Sequence, residues 1–510
     1  MSRRAATLAN LVGTGGTTLV AAVQAIVLIP LYLKVLGPHL YGAWLGSGDI
    51  LNVLQLMDLG LTNVLTQRIG AAHGRGLREE TGHYFGASLL LMASIGVVMA
   101  ALVLGLAPLL PGWMHLDGSE ADSLRSAVRW AALPTFLVVA HYGVLALARG
   151  QQDTLLLNTG TVTGSIVGFA MTLVLVLKGV GLPSIVWGMT ARSAIWALTA
   201  AWYAWRELRR GLGSHFALRR ESLRDVLALS PATALAGLGQ LLTSQTEAAI
   251  VAIALRPELA PVLILTRRAV DVASGLLNSL SYSAYAGYAH LVASPSDRSR
   301  ALAVHAEITA LWVNLALAAS VVYVALNHSL VAVWAGEALY GGVLLTLVMA
   351  GQMIVTGEAQ LLYYLYRATG AIVQGSWLQL AATLVRFPLM LVLLLWLGLP
   401  GFAVAGILTA GVGGYLAWKW TRRAVRGFAE PAPRIVLSVV AVRICLVAAA
   451  LVMALWLFIP RWSFVIPAGL GLGVVCVAVL LSIDERVSPV RGQILARLGW
   501  FGETAEVRGR

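Results

Sequence analysis

Cysteine, acidic residues and charge of any sign are scarce in this 510-residue chain. Its two cysteines, Cys445 and Cys476, both fall inside apolar runs near the C-terminus. That placement excludes a disulfide framework and a cysteine metal site, and the two read as small buried hydrophobes. Charged residues make up 12% of the chain, where a soluble protein carries about 25%. A soluble globular domain of this size is excluded. Acidic residues number 23 against 36 Lys and Arg, a formal net charge of +13. The basic residues sit in short loops between apolar runs, as orientation signals do, so they do not imply a nucleic-acid partner. No Walker pattern or nucleotide fingerprint occurs, which argues against an ATP-driven pump, and nothing in the chain implies a cofactor or a metal.

What the chain has in abundance is apolar surface: 59% of residues are hydrophobic and the mean hydropathy is +0.81. Apolar runs fall near 8–33, 41–67, 84–110, 124–148, 155–177, 183–204, 226–254, 260–290, 301–326, 342–366, 372–396, 400–420, 435–459 and 464–483. Each is long enough to cross ~30 Å of hydrocarbon as a helix. The sequence therefore predicts an all-α polytopic membrane protein with about fourteen transmembrane helices. The first run is too long for a signal-peptide core and reads as an uncleaved span. The split between spans at LNHSLVAVWAGEALYGG (326–342) is open, since that segment reads as re-entrant or interfacial.

The loops orient the spans. With the N-terminus cytoplasmic, the inside loops collect Arg3 and Arg4, then Arg68, Arg75 and Arg78, then Arg149, Arg298, Arg300 and Arg367. They also contain two basic linkers, RELRRGLGSHFALRRESLRD (206–225) and WKWTRRAVRGFAEPAPR (418–434). The outside loops hold little beyond Lys34, Lys178, Arg256 and Arg461, and the loop at 111–123 is acidic. Both termini are expected on the cytoplasmic side. The two linkers divide the chain into a first six-helix lobe (1–215), a second (216–425), spans thirteen and fourteen (426–484) and a cytoplasmic tail (485–510). Two six-helix lobes fit a parallel internal repeat.

Polar groups within the spans carry the functional signal. In LMDLGLTNVLTQRIGAAHGRG (56–76) and the turns before it, Asn52, Gln55, Asp58, Thr62, Asn63 and Thr66 occupy a helical arc of roughly 140°. A polar face in lipid must look at other helices or at water. Interhelical hydrogen bonding is one reading and a water-filled cavity lined by Asn52, Gln55, Asp58 and Asn63 is the other. Arg192, Arg267, Arg268, Arg386 and Arg443 also fall within spans, as do Glu247, Asp271, Glu307 and Glu358. A charge at a helix centre costs at least ~2.5 kcal/mol on insertion scales, so each asks for a partner or a function. Arg192, Arg267, Arg268 and Arg386 outnumber Glu247 and Asp271 at similar depth. Spare guanidinium forks suit a phosphate or carboxylate cargo. The competing readings are an Arg267–Asp271 pair within one helix and snorkelling of Arg192 and Arg386. Glu247, Asp271, Glu307 and Glu358 are candidates for ion coupling. His141 reads as a packing residue, and Gly13, Gly15 and Gly16 as close helix packing or a hinge.

The segment 29–76 resembles polysaccharide-exporter flippases of the Wzx type, through Leu36, Gly37, Tyr41 and Gly42 after the first span and Asp58–Leu61 in the second. ALARGQQD (146–153), ILTRRAVDV (264–272) and YRATG (366–370) are similar to further segments of that family. The resemblance implies membership of the MOP superfamily, with MATE exporters and the lipid II flippase as relatives. It implies two lobes around a central cavity and, as function, flipping of undecaprenyl-pyrophosphate-linked oligosaccharide across the bacterial inner membrane by alternating access, for O-antigen, capsule or exopolysaccharide synthesis. Membrane lipids, H+ or Na+ as coupling ion and a polysaccharide polymerase are the further partners it suggests. Arg267 and Arg268 lie in a matching segment, whereas Arg192 and Arg386 rest on the charge argument alone. Two other functions compete. A MATE-like antiporter for organic cations calls for acidic or aromatic cavity groups rather than arginine. A membrane-embedded polysaccharide polymerase or ligase, an enzyme, calls for a substantial outside loop that this chain does not have.

Overall fold

Hydrocarbon offers no partner to an open peptide group, so a membrane chain satisfies its backbone within helices or a closed barrel. This chain uses helices: among the described residues the computed structural model contains no strand. The described residues are 3–56, 61–228, 246–293, 298–369, 371–424 and 462–483. Among the described residues, eight helices are long and apolar enough to cross a membrane by length and composition. The protein is an all-α, membrane-embedded chain.

Its contacts divide it into two compact units, Met1–Pro261 and Val262–Arg510. The first contains α1 (Arg3–Leu56), α2 (Leu61–Gly74), α3 (Arg78–Leu106), α4 (Gly118–Gly150), α5 (Leu155–Leu177), α6 (Pro183–Glu207) and α7 (Glu247–Ala254). Helix α1 holds the first expected span and most of the second, joined through Gly37 (φ 74°) directly before Pro38. A side chain at that φ is strained, so glycine sets the bend. Of the expected second span, α1 covers residues up to Leu56 and α2 those from Leu61, while residues 57–60 fall outside the described residues. The seventh expected span appears in part, as α7, which packs on α1 and so joins the first unit.

Helices α5 and α6 are drawn together by a ladder of small residues. Gly160, Gly164 and Gly168 recur every four residues along one face of α5. A Cβ on Gly164 would meet the Arg192 carbonyl oxygen at 2.9 Å, and one on Gly168 would meet that of Gly188 at 2.7 Å. Backbones approach this closely only where side chains are missing. Elsewhere in the unit, Leu65, Ile69, Phe85, Met92, Leu147 and Tyr203 form a buried core between α2, α3, α4 and α6.

The second unit contains most of α8 (Leu259–Ala293), then α9 (Arg298–Ala335), α10 (Gly342–Ala368), α11 (Ile372–Leu397), α12 (Leu399–Ala424) and α13 (Trp462–Ile483). The open segment at 326–342 resolves as a continuation: α9 runs 38 residues to Ala335, and a short 3-10 turn, Glu337–Leu339, leads into α10. Tyr363, Tyr366, Leu378 and Trp418 bury one another where α10, α11 and α12 meet. Cys476 lies fully buried among Ala318, Leu326, Leu472 and Leu480 at the α9–α13 contact, as a small hydrophobe does. Cys445, Arg443 and the thirteenth expected span fall outside the described residues.

Candidate functional site

Three of the four arginines singled out by sequence lie in the second unit, and two of them meet at one ring. On α8, Tyr323 of α9 donates its hydroxyl to the Thr266 carbonyl (2.8 Å), and Gly341 N–H donates to the Thr266 hydroxyl (2.8 Å). These bonds fix the helical turn that presents Arg267. On the other side, Gly398 (φ 67°) turns the chain from α11 into α12. A Cβ on Gly401 would stand 2.0 Å from the Leu393 carbonyl oxygen, so α12 folds tightly against α11. That places buried Phe402 between the two cations: the Arg267 guanidinium carbon lies 5.8 Å from its centroid and that of Arg386 lies 5.4 Å away. A ring face attracts a cation by ~0.5–2 kcal/mol, more as water is excluded.

Arg267 Nε also donates to Asp271 Oδ2 at 2.9 Å. The intrahelical pair weighed from the spacing is therefore made, with the Arg267 side chain 16% exposed and that of Asp271 42%. Arg268, the next residue on α8, is half-buried. Arg192 belongs to the first unit and stacks on Trp196 at 5.2 Å, with its Cβ against the Gly168 face of α5. Its buried Nε has no hydrogen-bond partner among the described residues.

The other predicted groups are scattered. Asn52 is exposed near the end of α1. Asp58 and the side chains of Gln55 and Asn63 fall outside the described residues. Thr62 is 6% exposed and its carbonyl accepts from the Thr66 hydroxyl at 2.7 Å. Among the ion-coupling candidates, Glu247 is 6% exposed in the first turn of α7. Asp271 is engaged by Arg267, and Glu307 and Glu358 are half-buried on α9 and α10. His141 is buried, with Nδ1 at 3.2 Å from the Trp196 carbonyl, which is the packing role expected of it.

Sequence reasoning passed over Asp49. Its Oδ2 accepts from the backbone N–H of Ala248 (2.6 Å) and of Ala249 (3.1 Å), capping α7 from a distant helix. Two orphan donors of the α7 N-terminus are thereby satisfied and the helix dipole meets a negative charge. One turn back, a Cβ on Gly46 would touch that of Ala252 at 2.9 Å, and one on Gly42 would lie 1.8 Å from the Pro257 carbonyl oxygen. One turn further, His39 lies 2.7 Å from Glu120 and 3.7 Å from Glu258. The signal was present in LYGAWLGSGD, two glycines four apart with a carboxylate one turn on.

The long basic linker is also less free than its composition implied. Arg206 pairs with Asp153 and Arg219 with Glu79, while Asp225 receives both Arg68 (2.8 Å) and the Tyr84 hydroxyl (3.0 Å).

No protein-family model matches the sequence, and no curated protein matches it. Solved structures do. The inward-facing form of a multidrug-resistance MATE family transporter of the MOP superfamily aligns with TM-score 0.56 and 16% identity, over 78% of this chain and 94% of that one. The outward-facing form of such a transporter gives TM-score 0.55 and 16% identity over 83% and 95%. The bent form of the Vibrio cholerae MATE transporter VcmN gives 0.52 and 15% over 82% and 96%. At such identities the likeness is one of fold, and the chain has the fold of MATE transporters.

Proposed function

We propose that the protein is a flippase that carries undecaprenyl-pyrophosphate-linked oligosaccharide across the bacterial inner membrane by alternating access. The observation that carries this reading is the pairing of Arg267 and Arg386 at Phe402, with Asp271 as the carboxylate bonded to Arg267. Two guanidinium groups at one apolar ring offer charged, forked donors to an anionic head group. Bringing a bare pyrophosphate into hydrocarbon costs tens of kcal/mol by idealised Born estimates, and fixed guanidinium groups replace the lost hydration. The polyprenyl tail stays in the bilayer while the head group moves.

Arg268 extends the cationic face along α8, and Arg192 supplies a buried guanidinium in the first unit. Asn52, Gln55, Asp58 and Asn63 offer sugars hydrogen-bonding groups. Glu247, Asp271, Glu307 and Glu358 are the groups through which H+ or Na+ would drive the cycle, and a polysaccharide polymerase is the expected consumer of the product. The distribution of loop arginines puts both termini on the cytoplasmic side. The sequence linkers define two six-helix lobes, 1–215 and 216–425, as the halves that rock. Solved MATE structures in inward- and outward-facing forms support a fold that alternates access.

The shared fold itself favours a second reading, an antiporter for organic cations. Native mass spectrometry of the purified protein separates the two. Wild type should retain a polyprenyl-pyrophosphate adduct that weakens in Arg267→Gln, Arg268→Gln and Arg386→Gln. Retained organic cations with no such adduct would overturn the flippase reading in favour of the antiporter.

A further inference from the structure

In the second unit an open recess of about 840 Å³ lies where the C-terminal end of α10, the first turns of α11 and the end of α12 converge. It is distinct from the Arg267–Arg386 cluster. Tyr366 and Trp420 form one wall, their rings 5.7 Å apart. Trp377, Leu378 and Ala381 of α11 form the other, and Arg423 is the charged group among the lining residues. Trp377 is 58% exposed, an indole left facing out of the protein. Arg423 makes no ion pair or hydrogen bond among the described residues. Among the described residues no side chain caps the first turn of α11, so its backbone N–H groups add partial positive charge near Gln374, which also lines the recess.

A purely aliphatic occupant has no use for Arg423, and a soluble anion has no use for two indoles and a leucine. The recess suits an amphiphile with an anionic head. Its position strengthens the case: Arg367, Lys419 and Arg422 cluster at the same helix ends, the end that the arginine bias assigns to the cytoplasmic leaflet. Tryptophan at that level is the usual companion of lipid headgroups. Arg422 does not share the recess, because its guanidinium stacks on Trp418 at 4.9 Å. A single lining cation matches one phosphate better than a pyrophosphate. We propose that this recess holds an anionic phospholipid of the bilayer, its phosphate against Arg423 and the start of an acyl chain along Trp377, Leu378, Ala381 and Trp420. The site is independent of the transported cargo.

The full-length protein, stripped of lipid and offered equal phosphatidylglycerol and phosphatidylcholine, tests this by native mass spectrometry. Wild type should retain phosphatidylglycerol selectively. Arg423→Gln should lower that preference roughly fivefold, the factor corresponding to the ~1 kcal/mol that one surface cation contributes to anionic-lipid attraction. Ala381→Trp, which narrows the recess at its apolar wall without changing charge, should weaken the adduct. Arg422→Gln should leave it in place. Equal losses in both arginine variants would reduce the effect to general surface charge and overturn the site. So would an Ala381→Trp variant that binds as tightly as wild type. Displacement of phosphatidylglycerol by added undecaprenyl phosphate, with loss of that competitor in Arg423→Gln, would overturn the assignment to a bilayer lipid.

Discussion

Replacing Gly42 by alanine tests the α1–α7 contact more sharply than any change to a charged group. An added Cβ would stand 1.8 Å from the Pro257 carbonyl oxygen, 2.5 Å from its carbon and 3.0 Å from Pro261 Cδ. The obstacle is mostly backbone, which cannot swing aside as a side chain would. A relaxed carbon-to-oxygen contact needs about 3.3 Å, so the two segments must part by roughly 1.5 Å. A rigid separation of that size would stretch the 2.6 Å bond from Ala248 to Asp49 past hydrogen-bonding range. Overpacking costs about 1–3 kcal/mol and loss of an N-cap about 1 kcal/mol. Alanine returns up to ~1 kcal/mol through helix propensity. The net expectation is a loss of about 1–3 kcal/mol. Gly48 provides the control, because nothing lies within 4 Å of its added Cβ. Thermal unfolding of the detergent-purified variants should place Gly42→Ala several degrees below wild type and Gly48→Ala at or above it. Equal melting of the two variants would refute the close contact.

Two further outcomes follow from other parts of the molecule. Asp225→Asn removes the acceptor shared by Arg68 and Tyr84. Trypsin should then cut the 206–225 linker a few-fold faster at low salt, with a smaller difference at high salt, since a half-exposed ion pair is worth at most ~1 kcal/mol and is screened; unchanged cleavage would show that the pair does not hold the linker. Arg386→Lys keeps the charge but loses the planar stacking on Phe402. Its polyprenyl-pyrophosphate adduct should weaken nearly as much as that of Arg386→Gln, and binding equal to wild type would show that charge alone suffices.

The helical plan was legible because hydropathy and helix length answer to the same bilayer thickness. Leu36, Gly37, Tyr41 and Gly42 marked the turn after the first span, and the Arg267–Asp271 spacing offered an ion pair that the side chains make. What the sequence hid is long-range. That Arg386 and Arg267 share a ring depends on Phe402, an ordinary apolar residue with no motif of its own. Asp49 escaped notice because its partners are backbone amides about 200 positions away, and a backbone amide carries no sequence signature. Helix α7 packs with the first unit although the basic linker at 206–225 precedes it, since a contact such as Gly42 with Pro257 is invisible to hydropathy.

The unbroken α9 has a mechanical corollary. Its 38 residues make a rod of about 57 Å, nearly twice the ~30 Å hydrocarbon film it crosses. A rod of that length extends beyond the film. A stiff rod pivoting near its middle acts as a lever. A tilt of ~10° sweeps each tip by about 5 Å, close to one helical turn, while the midpoint scarcely moves. Leverage of this kind would let a small rearrangement at bilayer depth become a large displacement at the surface without any bond in the rod being broken.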